Sequence, residues 1–211
     1  MLTVHHLGVS QSDRIVWLCE ELEIPYELVR YARAPMMAPP EYKALHPSGT
    51  APVITDGDLT LAESGAVIEY IIARYGDGRL KVGPEDPAFA DYLYWFHFAN
   101  GSMGPSAMVD IILQILGNGE ETPTTSALKA RGDRAFAMVE DRLGKVPYFA
   151  GDQFSAADIF MVFPLTTMRA FAPRDLAPYP NIRAYLQRIG DRPAFQRAMQ
   201  KADPDLTPML A

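Results

Sequence analysis

A proline-led β-hairpin within residues 46–64 constrains this chain more than any other stretch. Two short β-prone runs, Val53–Thr55 and Leu59–Leu61, flank Asp56-Gly57. Because glycine tolerates positive φ, Asp-Gly between such runs predicts a tight hairpin turn. Pro52 has no backbone N–H to donate to a sheet, so it belongs at the start of the first strand. The sequence therefore predicts a hairpin that begins at Pro52.

A polar pair follows the hairpin. Glu63 and Ser64 precede a helical pattern that runs to Tyr75, so Ser64 is predicted at the N-terminus of that helix. Such an end has free backbone N–H groups and a partial positive charge, which suit a carboxylate. A ligand with an extended backbone, an α-amino group and an α-carboxylate would fit the strand edge and the polar pair together. The alternative is a hairpin followed by an ordinary helix cap.

The elements around the hairpin predict an α/β domain over residues 1–76. Leu2–Leu7 is β-prone, a helical pattern begins at Asp13 and ends at Pro25, and Tyr26–Tyr31 is β-prone again. A strand–helix–strand unit with this crossover predicts a parallel pair of strands. With the hairpin and the helix after it, the order is βαβ followed by ββα. This order is the thioredoxin-like arrangement.

A segment rich in glycine, proline and charge, residues 77–86, is predicted to link this domain to an all-helical domain over residues 87–211. The first helix of that domain is predicted from Pro87 to about Leu116. Gly101–Pro105 interrupts it and should kink or split it. Two short helices are predicted within residues 181–201.

The middle of the helical domain contains a strong start signal. A loop over residues 117–126 leads to a helix predicted over about 127–143. Ser155, followed three residues later by Asp158, is a capping-box-like helix start. Ile159–Leu165 then contains no charged residue, which predicts a helix buried on all sides.

These motifs together resemble the cytosolic glutathione transferases. The hairpin with its Glu-Ser start is similar to their glutathione-binding region, and GDQFSAAD at 151–158 is similar to the capped helix of their second domain. The resemblance, to the serine-type enzymes of bacteria and fungi, covers nearly the whole chain. It implies a cis Ala51–Pro52 bond, with Ala51 pairing by its main chain with the cysteinyl part of glutathione. Glu63 and Ser64 would hold the γ-glutamyl end.

The implied reaction is attack by the sulfur of glutathione on a small hydrophobic electrophile, as in detoxification. A free thiol with a pKa of about 8.5 is only a few per cent ionised at neutral pH, and the thiolate is the nucleophile. A serine hydroxyl can favour the thiolate by donating a hydrogen bond. Ser10 lies four residues before Arg14, the SxxxR spacing of the catalytic serine in such relatives, and is the first choice. Ser12 is the second choice, although its position suits a helix N-cap.

Other ligand contacts are expected from three regions. Thr50 stands where many relatives have lysine, so the glycyl carboxylate of glutathione is expected to be held less tightly, or by Lys43. The electrophile pocket is expected in the helical domain, where methionines adapt to varied apolar ligands. Packing in the core or in a dimer is the alternative for these side chains. The candidate pocket residues are Phe98, Met103 and Met108. The resemblance also implies a homodimer, with Asn100 as a candidate contact to glutathione from the partner chain.

Composition excludes several other classes. A net charge of −7 without a basic block argues against a nucleic-acid partner. No apolar run is long enough to span a membrane and no signal pattern is present, so a cytoplasmic protein is expected. His5 and His6 point to opposite faces of a strand, so no shared metal is expected. Cys19, the single cysteine, lies on the apolar helix face and is predicted to be buried rather than nucleophilic.

The same residues are compatible with two other functions. The same glutathione site could serve dehalogenation, isomerisation or peroxide reduction, since these reactions differ only in the acceptor pocket. A transferase-like binding or scaffold protein without catalysis is the third possibility. Ser10, Ala51-Pro52 and Glu63-Ser64 count against the scaffold, and Thr50 counts slightly for it.

Overall fold

The computed structural model of the chain describes residues 1–115 and 122–211. Its contacts divide it into two compact units. The first unit comprises Met1–Lys81 with Gly190–Pro208, and the second comprises Val82–Ile189 with Met209–Ala211. The chain passes from the first unit to the second within the segment that was predicted as a linker, 77–86.

The first unit is built on a mixed four-stranded sheet. Its strands are β1 (Leu2–Leu7), β2 (Glu27–Tyr31), β3 (Val53–Asp56) and β4 (Leu59–Ala62), in the order β2-β1-β3-β4. β1 pairs parallel with β2 and antiparallel with β3, and β3 pairs antiparallel with β4. The predicted βαβ-ββα order and the thioredoxin-like fold are confirmed.

Three helices follow the strands of this sheet: α1 (Asp13–Leu22), α2 (Pro40–Lys43) and α3 (Ser64–Tyr75). α1 ends before Pro25, because Glu23 takes a left-handed backbone conformation with φ 53°. α2 had no counterpart in the prediction. It contributes Tyr42, which is fully buried with Leu7 and Val53 and donates a hydrogen bond from its hydroxyl to the carbonyl of His5, at 3.2 Å. This short helix therefore packs against the strand that follows the proline.

The second unit is helical in the part of the chain that the structure describes. Its elements are α4 (Phe89–Phe98), a π-helical turn (Ala99–Met103), α5 (Gly104–Ile115), α6 (Pro123–Leu143), α7 (Ala156–Leu165), a 3-10 turn (Thr167–Ala170) and α8 (Pro180–Gly190). The kink or split predicted at Gly101–Pro105 is a π-helical turn that joins α4 to α5. Pro105 lies in the first turn of α5 and has no N–H to donate to the helical residues that precede it. None of the described helices is long and apolar enough to cross a membrane.

The region between α5 and α6 differs from the prediction at its end. The predicted helix end at Leu116 and the first half of the predicted loop 117–126 lie outside the described residues. α6 begins four residues before the predicted 127. The reason is a capping box, because the Thr122 hydroxyl accepts the Thr125 N–H at 3.1 Å and Pro123 starts the helix.

The predicted capping box at Ser155 is confirmed. The Ser155 hydroxyl accepts the N–H of Ala157 at 3.3 Å, and the Asp158 carboxylate accepts the N–H of Ser155 at 2.9 Å. That carboxylate also accepts the Phe149 N–H at 3.0 Å and the Tyr185 hydroxyl at 3.1 Å. Burial raises the pKa of Asp158 to about 6, although these hydrogen bonds act in the opposite direction. We call Ser155, Asp158, Phe149 and Tyr185 the capping cluster.

Helix α9 (Pro193–Ala202) belongs to the first unit, although the sequence assigned it to the helical domain. Phe195 packs edge-on against Trp17 of α1, with ring centroids 5.1 Å apart. The carboxylates of Glu20 and Glu21 on α1 accept hydrogen bonds from basic side chains in or beside α9: Arg192, Arg197 and Lys201. These acidic residues therefore attach a distant helix rather than face solvent.

Candidate functional site

The predicted hairpin is present, with β3 paired to β4 across a turn at Gly57-Asp58. The Ala51–Pro52 peptide bond is cis, Pro52 is buried, and Ala51 is half-buried. Gly57 in the turn between β3 and β4 has φ +59°, the left-handed conformation that favours glycine. Ala51 thus lies two residues before the start of β3, and its carbonyl accepts a hydrogen bond from Gln11.

The start of α3 holds a carboxylate that does not cap the helix. Glu63 occupies the N-cap with φ +69°, an unusual conformation for a non-glycine residue, and makes no side-chain cap hydrogen bond. Its side chain is exposed and has no ion-pair partner among the described residues. Ser64, the first helical residue, is 2% exposed. The arrangement leaves the Glu63 carboxylate available to a ligand, which an ordinary capping residue would not be.

Gln11 joins the two halves of this region, and the sequence did not indicate it. Its amide nitrogen donates to the Ala51 carbonyl at 2.9 Å, and its amide oxygen lies 3.4 Å from the Ser64 hydroxyl, which donates to it. Arg14 donates to the same amide oxygen at 3.3 Å. Because one glutamine contacts both Ala51 and Ser64, the strand edge and the helix start form one hydrogen-bonded site. A lone loop glutamine has no sequence signature that would have revealed this.

Arg14 supports the site from within the unit. Its guanidinium is 3% exposed, and burial lowers its pKa to about 10, while the charge of Asp13 acts in the opposite direction. It remains a cation at neutral pH. Its hydrogen bond to Gln11 means that Arg14 helps to hold the side chain that contacts Ala51 and Ser64.

Ser10 and Ser12 are both buried and hydrogen-bonded to each other. The Ser10 hydroxyl, 5% exposed, lies 2.7 Å from the Leu7 carbonyl and 2.7 Å from the Ser12 hydroxyl. Ser12 occupies the N-cap of α1 but its side chain does not cap the helix. Instead its hydroxyl accepts the Leu7 N–H at 3.1 Å and lies 2.9 Å from Nδ1 of His6. The reason is that the side chain of Ser12 is directed back toward β1.

His6 and Asp203 extend this chain of contacts. Nε2 of His6, which is fully buried, lies 3.1 Å from the Asp203 carboxylate, and the other carboxylate oxygen accepts the Val9 N–H at 3.0 Å. Burial raises the pKa of Asp203, but the hydrogen bond and charge of His6 and the Val9 N–H outweigh it and hold that pKa below its usual value. His5, by contrast, contacts Tyr31 and Thr55. The two adjacent histidines therefore have separate environments.

The remaining candidates of the first unit lie at its surface or in its core. Thr50 and Lys43 are both exposed. Cys19 is fully buried, and burial raises the pKa of its thiol well above the usual range, with a further contribution from Glu20. The predicted burial of Cys19 is confirmed. Among the described residues, no group of His, Cys, Asp and Glu side chains could hold a metal ion.

The candidates of the helical unit differ in exposure. Phe98 is buried and stacks on Tyr94, with ring centroids 5.6 Å apart. Met103, at the end of the π-helical turn, is 1% exposed, whereas Met108 on α5 is 49% exposed. Asn100 is exposed. Of the three proposed pocket side chains, Met108 is the one with substantial free surface.

Comparison with known proteins then decides the family. Residues 10–74 match "Glutathione S-transferase, N-terminal domain", and residues 106–193 match "Glutathione S-transferase, C-terminal domain". The chain is 34% identical to a protein of Schizosaccharomyces pombe named glutathione S-transferase 3, over 96% of this chain and 88% of that protein. The chain belongs to the glutathione S-transferase family.

Two further members of the glutathione S-transferase family are similar to this chain over almost its whole length. Glutathione S-transferase 1 of Saccharomyces cerevisiae is 30% identical, over 96% of this chain and 95% of that protein. The crystal structure of a glutathione S-transferase from Actinobacillus pleuropneumoniae is 34% identical, with a TM-score of 0.87 over 96% of this chain and 93% of that one. The family resemblance inferred from the hairpin and the capped helix is confirmed.

Proposed function

We propose that the chain is a glutathione transferase in which the thiolate of glutathione, stabilised by a serine hydroxyl, attacks small hydrophobic electrophiles. The observation that carries this proposal is the Gln11 bridge. Gln11 holds the Ala51 carbonyl and the Ser64 hydroxyl in one hydrogen-bonded unit, and it lies between Ser10 and Ser12. Ligand groups bound along the hairpin would therefore meet the loop that carries both candidate serines.

The γ-glutamyl end of glutathione is bound at the start of α3 in this proposal. Its α-ammonium group pairs with the Glu63 carboxylate, and its α-carboxylate binds the free N–H groups of α3 together with the Ser64 hydroxyl. The exposed and unpartnered side chain of Glu63 supports the first contact. Each charge-assisted hydrogen bond of this kind is worth about 1.5–3 kcal/mol.

The rest of glutathione extends along the segment before β3. The cysteinyl part pairs with the main chain of Ala51 beside the cis Pro52. The Ala51 carbonyl already accepts one hydrogen bond from Gln11, and a carbonyl oxygen has a second lone pair for the ligand. The glycyl carboxylate is held by Lys43 or by Thr50, and the exposure of both side chains is compatible with that role.

Ser10 is the group that we assign to the thiolate, with Ser12 behind it. Lowering the thiol pKa by about two units would make most of the glutathione thiolate at neutral pH, for about 2.7 kcal/mol of differential stabilisation. A hydroxyl donor near the start of α1 supplies part of this stabilisation. Ser12 lies deeper in the fold than Ser10, which supports Ser10 as the residue that contacts the ligand. The two hydroxyls are 2.7 Å apart, so Ser12 can act on the ligand through Ser10.

The helical unit supplies the apolar surface for the electrophile, at Phe98, Met103 and Met108. The chain acts as a cytoplasmic homodimer, with Asn100 near glutathione of the partner. Exposed apolar side chains on α4 and α5 support an interface between copies: Leu93, Tyr94 and Ile112. Such side chains gain stability when they are covered.

The test is glutathione affinity, measured by titration calorimetry. Glu63→Gln should weaken binding about tenfold or more, because the charge that pairs with the α-ammonium group is lost. Glu69→Gln is the matched control, since Glu69 is exposed on the same helix and should leave affinity unchanged. Wild-type affinity for Glu63→Gln would move the γ-glutamyl site elsewhere. No binding by the wild-type protein would favour a scaffold.

A further inference from the structure

Four side chains form one continuous line of hydrogen bonds from the candidate site into the core. Oγ of Ser10 is 2.7 Å from Oγ of Ser12, which is 2.9 Å from Nδ1 of His6. Nε2 of His6 is 3.1 Å from the Asp203 carboxylate. We call Ser10, Ser12, His6 and Asp203 the hydroxyl chain. A ring with a carboxylate on one nitrogen and a hydroxyl on the other is arranged to receive a proton.

The direction of the hydrogen bonds in the resting protein follows from Asp203. Its carboxylate is ionised at neutral pH, so it accepts the Nε2–H of His6 and leaves Nδ1 as an acceptor. Ser12 then donates to Nδ1, and its own oxygen accepts from Ser10 and from the Leu7 N–H. Every hydroxyl proton points inward. The Ser10 oxygen also accepts the backbone N–H of Ser12 at 3.3 Å, so Ser10 presents its remaining lone pair, and no proton, to a ligand.

This direction conflicts with a simple donor role for Ser10. A serine with its single proton already engaged cannot donate to a thiolate unless it breaks that bond. The Leu7 carbonyl, also 2.7 Å away, offers a second inward acceptor for the same proton. The conflict disappears if the ligand arrives as a thiol, because an S–H group can donate to the free lone pair of Ser10.

We propose that the hydroxyl chain transfers the thiol proton of bound glutathione to His6. This inference rests on the function proposed above. The S–H bond breaks and its electron pair stays on sulfur. The thiol proton passes to Ser10, the Ser10 proton to Ser12, and the Ser12 proton to Nδ1 of His6. Two O–H bonds are broken and two are formed, and one S–H bond is replaced by one N–H bond. The products are a thiolate and an imidazolium.

The transfer reverses the direction of every hydrogen bond along the hydroxyl chain and makes Ser10 a donor to the thiolate. Its new proton points at the sulfur, so Ser10 now donates to the thiolate, while Ser12 donates to Ser10 and His6 donates to Ser12. The imidazolium is stabilised by the ionised Asp203 at hydrogen-bond distance. Ser12, His6 and Asp203 act through Ser10 and are positioning residues.

The charged groups around His6 decide whether it can hold the proton. Asp203 contacts the ring directly and favours the imidazolium. The positive charge of Arg33 also helps to lower the pKa of Asp203, and Arg33 donates hydrogen bonds to the Gly8 and Val9 carbonyls, both at 2.8 Å. Its charge opposes the imidazolium, whereas the Asp203 carboxylate lies 3.1 Å from Nε2 of the ring. The closer, opposite charge has the larger effect.

The direct test is NMR of the full chain with ¹⁵N-labelled histidine, before and after glutathione is added. The ring nitrogens of His6 should change from those of a neutral imidazole to those of an imidazolium. S-methylglutathione, which has no thiol proton, should bind without this change. His5 is the internal control, because its ring contacts Tyr31 and Thr55 and lies outside the hydroxyl chain. Its signals should not show protonation with either ligand.

A proton count provides the second readout. Thiolate formation is followed by ultraviolet absorbance, and proton release by an indicator dye in weak buffer. The wild-type protein should release clearly fewer protons than it forms thiolates. His6→Asn should release a whole proton for each thiolate. Asp203→Asn, which retains an acceptor for the ring N–H, should raise the pKa of the bound thiol by about one unit or more.

The outcomes separate this inference from the proposed function. If glutathione binds as a thiolate while His6 stays neutral and every proton reaches solvent, the transfer is wrong and the transferase proposal stands. If glutathione does not bind, or binds with an unshifted thiol pKa, both are wrong. The NMR experiment uses the wild-type chain, so the test does not depend on whether His6→Asn folds.

Discussion

The capping cluster and the hydroxyl chain are two buried polar groups of similar composition with different properties. In the capping cluster, one carboxylate accepts from the backbone N–H groups of Phe149 and Ser155 and from the Tyr185 hydroxyl. A backbone N–H group can only donate and an ionised carboxylate can only accept, so these hydrogen bonds have one direction. In the hydroxyl chain, two hydroxyls and an imidazole can each donate or accept. Fixed donors suit a role in the stability of the fold, whereas donors that can reverse suit the proton transfer proposed above.

The largest effect is expected when the hydroxyl chain loses its outer member. Ser10→Ala should lower kcat/KM with a model electrophile by about 100-fold, because the thiolate loses a donor. Glutathione affinity and the melting temperature should change little. Steady-state kinetics measures kcat/KM, and calorimetry measures the glutathione affinity and the melting temperature. Unchanged kcat/KM and an unchanged thiol pKa would remove Ser10 from this role and leave Ser12 as the candidate.

The two carboxylates should respond to pH with opposite signs. The pKa of Asp158 in the folded state is about 6, above the unfolded value of about 3.9, so the folded state binds more protons between these values. The contribution of Asp158 to the free energy of unfolding should therefore fall by about 2 kcal/mol as pH rises from 4 to 6. The lowered pKa of Asp203 predicts that its contribution is present above the unfolded pKa and is lost as pH falls through the folded one.

Difference curves isolate each carboxylate. The free energy of unfolding is measured by urea titration from pH 3 to 7 for the wild-type protein, Asp158→Asn and Asp203→Asn. Subtracting each variant from the wild-type protein removes all other titrating groups. If the difference in the free energy of unfolding changes with pH in the same direction for Asp158→Asn and for Asp203→Asn, the prediction of opposite signs is wrong.

The Gln11 bridge should have an intermediate effect. Gln11→Ala removes the contacts to Ala51 and Ser64, and glutathione should bind about tenfold more weakly because both groups lose their common partner. Gln153→Ala is the matched control, since Gln153 is exposed beside the capping cluster. Calorimetry should find that only the first variant has altered affinity. Equal affinities would mean that the bridge does not organise the site.

The smallest effect belongs to the capping cluster. Ser155→Ala should lower the free energy of unfolding by about 1 kcal/mol, because the N-cap hydrogen bond is lost. Its kcat/KM should equal that of the wild-type protein. An unaltered melting temperature would contradict the cap, and reduced activity would contradict the separation of the two regions.

The sequence predicted what depends on neighbouring residues. Pro52, the glycine after Asp56 and the Ser155-to-Asp158 spacing are local signals, although the turn itself lies one residue later than predicted, at Gly57-Asp58. The order of elements followed from periodicity and predicted the fold. Boundaries were less secure where a short motif intervened, as with the capping box at Thr122 that begins α6 early.

The missing parts depend on distant residues. Asp203 is 197 residues from His6 in the chain, and Arg192 reaches Glu21 across 171 residues. No local pattern reports such a pairing, so α9 was assigned to the helical domain and the hydroxyl chain went unseen. Gln11 is close in sequence to Ser10 but acts through Ala51 and Ser64, which folding brings to it. Tertiary contacts of this kind need the structure.

The most direct test of the transferase proposal is the ultraviolet thiolate absorbance of glutathione bound to the wild-type protein, titrated against pH. The pKa of a free thiol is about 8.5, and a site that ionises the thiol should give an apparent pKa about two units lower. A bound thiol that titrates like the free one would contradict the proposal and leave a glutathione-binding protein without an activating site.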